Sequence, residues 1–256
     1  MAISEKPGGK TGESIISEGN ELELFARSLG AEIYGVASAE AYSAEFPQKP
    51  QPDRYVPGAK SIIIIGLPQS PELWATVAKP QLAAVSRKAS DEASYTVSGS
   101  KRTPMGAERF FINPEQTMLT NELLKMAYRI AWKLNREDYK AFYFHPFKPE
   151  PRFKTAAFYF MPAMYLAGIG QMGLNCSIIT REYGPRIWVT AIITDKELPA
   201  GQPVGPVQYE DCAGCGICVE RCPSHSLDGK GWKNVHGCAS YGCCGTCLSV
   251  CPVGMK

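Results

Sequence analysis

The sequence predicts an α+β domain followed by a small cysteine-rich module, and three observations carry the prediction. Helix-spaced and strand-like apolar patterns interleave through residues 20–200. Nine of the ten cysteines lie between Cys212 and Cys251. Between the two regions runs LPAGQPVGP (198–206), a proline- and glycine-rich stretch of the kind that separates domains. The 256 residues suffice for one full domain and a smaller second one. We divide them into 1–19, a flexible leader, 20–200, and 201–256.

The elements follow from local pattern. Asn20 to Leu29 has leucines and alanines at helical spacing, and Gly30 stops it. Ile33 to Ala37 reads as a short strand. In YVPGAKSIIIIGLP a turn feeds a β-branched run, which predicts a buried central strand from Ser61 to Leu67. Residues 70–112, with SGSKRTPMG in their middle, read as a surface or substrate-facing loop. Asn113 then offers a helix N-cap, Pro114 suits the first helical position, and Gln116 completes a capping box. Leu119, Leu123, Ala127, Ile130, Ala131 and Leu134 lie on one face of that helix. YKAFYF (139–144) alternates like a strand, and a second apolar helix is expected over Thr155–Ala167. Two strands, near Cys176–Thr180 and Arg186–Thr194, flank the turn REYGP.

Composition narrows the function. With 45% hydrophobic and 20% charged residues the chain reads as an ordinary globular protein. Its formal charge of +2 calls for no nucleic acid or other polyanion. The apolar run around Ile62–Ile65 is too short to span a bilayer. The N-terminal MAISEKPGGKTGES lacks an apolar export core and a twin arginine, so a cytoplasmic protein is expected. In that compartment dense cysteine points to metal rather than to disulfides.

CAGCGICVERCP places Cys212, Cys215, Cys218 and Cys222 as C-x2-C-x2-C-x3-C-P. Three closely spaced thiolates can wrap one 4Fe-4S cubane while the fourth serves a neighbouring cluster. Structural zinc sites instead pair two short hooks from separate segments. YGCCGTCLSVCP repeats the last three positions of the motif with Cys244, Cys247 and Cys251, but Tyr241 stands where the first should be. Cys238 or Cys243 can substitute. Adjacent side chains diverge, so Cys243 and Cys244 make a poor pair, which favours Cys238. Exchange of the distal cysteines then gives Cys212, Cys215, Cys218 and Cys251 for one cluster, and Cys222, Cys238, Cys244 and Cys247 for the other.

The order of AGIGQMGLNCSIITREYGPRIWVTAIITDKEL and CAGCGICVERCP resembles the cobalamin-dependent reductive dehalogenases and epoxyqueuosine reductases. LGAEIYGVASAE, YVPGAKSIIIIGLP and the closing YGCCGTCLSVCP are similar to segments of the latter. The likeness covers roughly residues 20–70 and 137–252. It implies a nitroreductase-like α+β domain holding cobalamin base-off, beside a ferredoxin-like module with two 4Fe-4S clusters that pass electrons inward to cobalt. Matched residue by residue, Gly168, Gly170, Met172, Gly173 and Asn175, with Tyr183, Gly184 and Pro185 of the EYGP turn, would line the corrinoid; the bland reading is a pair of plain turns. The family's proton donor has no clear counterpart. Glu115 is the nearest candidate, although a glutamate in a first helical turn is more often a dipole partner; Tyr95 and Arg109 are weaker ones. The resemblance leads us to expect a chain without the helical extension with which epoxyqueuosine reductases engage transfer RNA.

Three functions compete: a corrinoid-dependent reductase of a small organic substrate, an electron-transfer or reactivating partner of a separate corrinoid protein, and a tRNA epoxyqueuosine reductase, which the charge disfavours. Each implies a low-potential electron donor such as a ferredoxin or flavodoxin.

Overall fold

A computed structural model describes residues 12–70, 114–146, 149–150, 155–240 and 244–254. Tyr95, Arg109, the cap at Asn113, Tyr241 and Cys243 lie outside these residues, as does nearly all of the loop expected at 70–112. In chain order the elements are α1 (Gly12–Ser28), β1 (Ile33–Ser38), α2 (Ala39–Glu45), β2 (Ser61–Pro68) and α3 (Pro114–Arg136). The strands β3 (Ala141–Tyr143), β4 (Pro149–Glu150) and β5 (Thr155–Ala156) follow. Next come α4 (Phe160–Leu166), β6 (Gln171–Met172), β7 (Ile178–Ile179) and β8 (Ile187–Thr194). Four short helices finish the chain: α5 (Cys212–Cys215), α6 (Ile217–Glu220), α7 (Val235–Ser240) and α8 (Thr246–Ser249).

The main sheet is antiparallel with strand order β1–β2–β8–β3. Its centre is the run Ile62–Ile65, in which every residue is fully buried. Successive side chains point to opposite faces of a strand. Ile62 and Ile64 therefore join Tyr42, Phe144, Phe158 and α4 on one face. Ile63 and Ile65 join Leu22 and Ala26 of α1, and Leu123, Ile130 and Leu134 of α3, on the other. An unbroken apolar strand usually signals a parallel sheet. Here it arises in an antiparallel one, because both faces are covered.

The α+β fold is borne out, and β2 is the internal strand expected. The helical face read from the sequence is the buried face of α3, where Leu123, Ala127, Ile130 and Leu134 are fully buried. Other elements differ in extent. Helix α1 begins at Gly12, ahead of the start expected at Asn20 and inside the expected leader. The helix expected over Thr155–Ala167 shrinks to Phe160–Leu166, and Thr155–Ala156 pairs with β4 instead. Pro162 accounts for the late start: proline lacks an N–H, and its ring clashes with the carbonyl four residues earlier, so it is tolerated only in a first turn. The strand expected at Cys176–Thr180 is cut to Ile178–Ile179, since Cys176 sits at φ +57°, outside extended geometry. No helix or strand element occupies residues 195–211. Among the described residues, no helix is long and apolar enough to cross a membrane.

Candidate metal centre

The cysteine-rich segment is attached to the sheet through the turns on either side of β7. Residues 171–179 form a hairpin, β6 with β7, closed by the Gly173 N–H donating to the Ser177 carbonyl at 2.8 Å. Met172 continues the contact outward: its N–H donates to the Val207 carbonyl, and its carbonyl accepts from the Tyr209 N–H, at 2.7 and 2.8 Å. Asn175 is buried, taking the Ser177 N–H on Oδ1 and donating from Nδ2 to the Cys247 carbonyl at 3.5 Å. Leu174 and Cys176 pack with Cys218, Cys222 and Leu227 in a third apolar cluster.

Two cavities open in this region. The first, about 280 Å3 including space open to solvent, is lined by Cys212, Cys215, Cys218 and Cys251, and by Leu174, Asn175 and Ile179 of the hairpin. The second, about 330 Å3 on the same measure, is lined by Cys222, Cys238, Cys244 and Cys247 together with Ser226 and Lys233. The two linings divide eight cysteines into the same groups of four that their spacing suggests, while among the described residues no three metal-binding side chains are drawn close enough to hold an ion. Local geometry explains the sorting. Cys212 and Cys215 sit on α5, and Gly216 at φ +58° turns the chain into α6, which carries Cys218. Helix α8 carries Cys247 to the second cavity, and the residues after it return Cys251 to the first.

The thiols are tuned by their surroundings. Burial, then the neighbouring Cys212 and Cys251, pushes Cys218 up to about 11. Burial pushes Cys247 up to about 12, with Cys244 among the groups adding to it. Cys222 goes the other way. Burial alone would raise it, but the Ser224 hydroxyl (3.5 Å), the Ser226 N–H (3.4 Å) and further backbone N–H groups outweigh burial and lower it. With those values Cys218 and Cys247 are neutral thiols near pH 7, and binding a metal there would require their deprotonation. Cys176 lines neither cavity; its Sγ contacts the Gly231 carbonyl at 3.2 Å, and burial raises its pKa.

The EYGP turn meets the chain's own end. Gly184 has φ +57°, and a Cβ there would fall on the Val253 carbonyl oxygen. A Cβ at Gly254 would in turn fall on the backbone of Tyr183 and Gly184. At Gly170 it would fall on the Ile179 carbonyl, and at Gly168 on that of Gln202. These glycines are required by contacts within the chain, whatever else the turns face. Beside them lies Arg186, 2% exposed, whose guanidinium donates to the Leu248 and Cys251 carbonyls at 3.0 Å each and to the Val253 carbonyl. The sequence reading passed over Arg186. A lone arginine opening the apolar strand RIWVTAII was the available signal.

A further group was also passed over. Gln69 is 3% exposed, and neither atom of its amide has a partner among the described residues. Its backbone N–H donates to the Arg186 carbonyl at 2.9 Å, which fixes it against the EYGP turn. The next residue, Ser70, donates its N–H to Oε1 of Glu115 at 2.8 Å, and Glu115 Oε2 is buried with no partner among the described residues. Glu115 is thus brought within one residue of Gln69, and so to the edge of the turn.

Comparison with known proteins bears on the first cysteine motif and on the fold. A family model for a 4Fe-4S binding domain matches residues 206–228. The epoxyqueuosine reductase of Bacillus cereus is 32% identical over 34% of this chain and 27% of its own length. The tetrachloroethene reductive dehalogenase of Sulfurospirillum multivorans is 32% identical over 34% of this chain and 22% of its own. The matches therefore span about a quarter of each curated relative. A solved reductive dehalogenase, described as suggesting a mechanism for B12-dependent dehalogenation, superposes with a TM-score of 0.64 at 16% identity. It covers 98% of this chain and 34% of that one, a likeness of fold. The chain is a 4Fe-4S protein and a divergent relative of the epoxyqueuosine reductases and the reductive dehalogenases.

Proposed function

We propose that the chain is a two-cluster reductase that delivers electrons to a corrinoid and so reduces an organic substrate. The observation that carries the proposal is the pair of four-cysteine cavities, one of them built against the β6–β7 hairpin. On this reading Cys212, Cys215, Cys218 and Cys251 hold an inner 4Fe-4S cluster, and Cys222, Cys238, Cys244 and Cys247 an outer one. The first is inner because Leu174, Asn175 and Ile179 line it, whereas every residue lining the second belongs to the C-terminal segment.

The turns at Gly168–Asn175 and Tyr183–Pro185 are the proposed corrinoid-facing residues. Their glycines are taken up by the chain's own packing, so the fit rests on Gln69 and Glu115. A buried amide with no partner is expensive to keep. A corrinoid, whose rim carries carboxamides, would offer both a donor and an acceptor to Gln69. Bound there it would supply a strongly reducing metal centre. Glu115, held by the Ser70 N–H on one oxygen, presents the other as the proposed proton donor.

Two observations leave company for this reading. Relatives named for epoxyqueuosine and for tetrachloroethene each match 34% of the chain, so an epoxyqueuosine-type substrate stands beside a halogenated one. The filled glycine turns favour a second reading, an electron carrier for a separate corrinoid protein.

The test is anaerobic reconstitution with iron and sulfide, followed by cobalamin. Two full cysteine sets require about eight irons per chain. Replacing Cys212 or Cys238 by alanine should each leave about four. Cobalamin should then bind at micromolar protein with its lower base displaced, giving a cob(II)alamin paramagnetic spectrum without nitrogen superhyperfine splitting. Four irons in the unmodified chain would end the two-cluster reading. Eight irons without cobalamin binding would leave the electron carrier.

A further inference from the structure

The guanidinium of Arg186 is almost wholly buried, and its hydrogen bonds run to three backbone carbonyls, of Leu248, Cys251 and Val253. No salt bridge joins it to a carboxylate among the described residues. One of those three carbonyls belongs to Cys251, a residue lining the first cavity. A buried cation facing only carbonyl dipoles is costly unless a negative group shares its surroundings. The carbonyls of α8 and the residues after it account for its position; they do not account for a full positive charge, since a neutral donor could cap the same carbonyls.

Building on the two-cluster reading, we propose that Arg186 sets the reduction potential of the inner cluster, holding it above that of the outer one. A cubane with four thiolates is anionic, and taking up one electron adds one more negative charge without making or breaking a bond. A fixed cation in a poorly solvated site stabilises the reduced form more than the oxidised one. The second cavity has a different cation, Lys233, whose chain is half-buried at the rim and more open to solvent screening. An electron supplied to the outer cluster by an external low-potential donor therefore moves downhill to the inner one. Arg186 is a positioning residue in this scheme: it acts through the cluster and touches no substrate.

The test is a paramagnetic-resonance redox titration of the reconstituted protein, with iron counted in every sample. Arg186→Gln keeps hydrogen-bond donors for the carbonyls and removes the charge. It should retain about eight irons and make one cluster at least tenfold harder to reduce, about 59 mV for a one-electron couple, while the other stays where it was. Arg186→Lys keeps the charge and should titrate within about threefold of the unmodified protein. In a Cys238→Ala background, which leaves only the inner set complete, the Gln substitution should produce the same shift in the single remaining wave. Unchanged potentials in a fully loaded Gln variant would overturn the proposal. So would a Lys variant that shifts as far as Gln, or a Gln variant that loses the inner iron while Lys retains it with unaltered cluster order, because Arg186 would then be an anchor alone. If the unmodified protein itself fails to load two clusters, the cluster reading has failed first.

Discussion

Replacing Gly184 by alanine should unseat the proposed inner cluster, although Gly184 is not one of its proposed ligands. The residue sits in the EYGP turn at φ +57°, a region that side chains disfavour by about 1–2 kcal/mol. Its new Cβ would overlap the Val253 carbonyl oxygen and lie 2.9 Å from Nη2 of Arg186. Neither neighbour is a flexible chain end. One is backbone, and the other is a buried guanidinium hydrogen-bonded to that same carbonyl. Forcing a methyl group into a filled site adds about 1–3 kcal/mol. Relief requires residues 251–253 to withdraw from the turn, and Cys251 withdraws with them. Gly58→Ala is the matched control: its φ of +79° imposes the same backbone strain, but nothing lies within 4 Å of the added Cβ. The assay is iron content after anaerobic reconstitution, with thermal unfolding followed on the same samples. Gly184→Ala should fall toward about four irons per chain and unfold earlier than Gly58→Ala, which should load fully. Equal iron and equal midpoints in the two variants would refute the contact argument.

Two further outcomes follow from the titrating groups. Cys218 and Cys247 titrate near 11 and 12 in the folded chain but must be thiolates to bind iron, so cluster assembly releases protons and should accelerate as pH rises from 7 to 9; a flat rate profile would contradict this. The same upward shift means that the metal-free fold draws stability from the neutral Cys218 thiol below pH 9 and loses it as pH rises through 11. Glu137→Gln should lower stability by about 1–2 kcal/mol, because Glu137 receives Lys133 at 2.5 Å and the buried Lys196 at 2.8 Å. Burial alone would raise the Glu137 pKa, but those hydrogen bonds outweigh it and hold it below the ordinary value. Its contribution is therefore present above pH 4.5 and lost as pH falls, so denaturant melts of the two proteins should converge in acid.

What could be read from the sequence was what short-range pattern encodes. The run Ile62–Ile65 announces a buried strand because a strand covered on both faces has no solvent side to mark. Helix α3 is legible from its 3.6-residue apolar stripe, and the first four-cysteine motif from its spacing. What escaped was tertiary. Pro162 shortens α4, yet a proline near a helix start is also what a sound N-terminus looks like. In the glycines of AGIGQMG and EYGP, nothing local reveals that Gly170 and Gly184 make room for Ile179 and Val253, partners that only the folded chain brings near. Gln69 follows a strand whose pattern ends at Pro68, so nothing local reveals that its amide is sealed in.

The cysteine exchange and the arginine clamp bear on each other. On the proposed ligand sets Cys222 leaves the first motif for the outer cluster, and Cys251 leaves the second for the inner one, so each cluster ties together both ends of the C-terminal segment. Such a crossed arrangement fixes the two clusters relative to one another but says nothing about the sheet. The sheet is reached through Asn175, which holds the Cys247 carbonyl, and through Arg186, which holds those of Leu248, Cys251 and Val253. Both contacts grip backbone rather than cysteine side chains. They therefore leave the sulfur atoms free for iron while setting how far the proposed inner cluster would stand from the start of β8. Electron transfer depends on that separation, and here it is a property of the fold rather than of the metal.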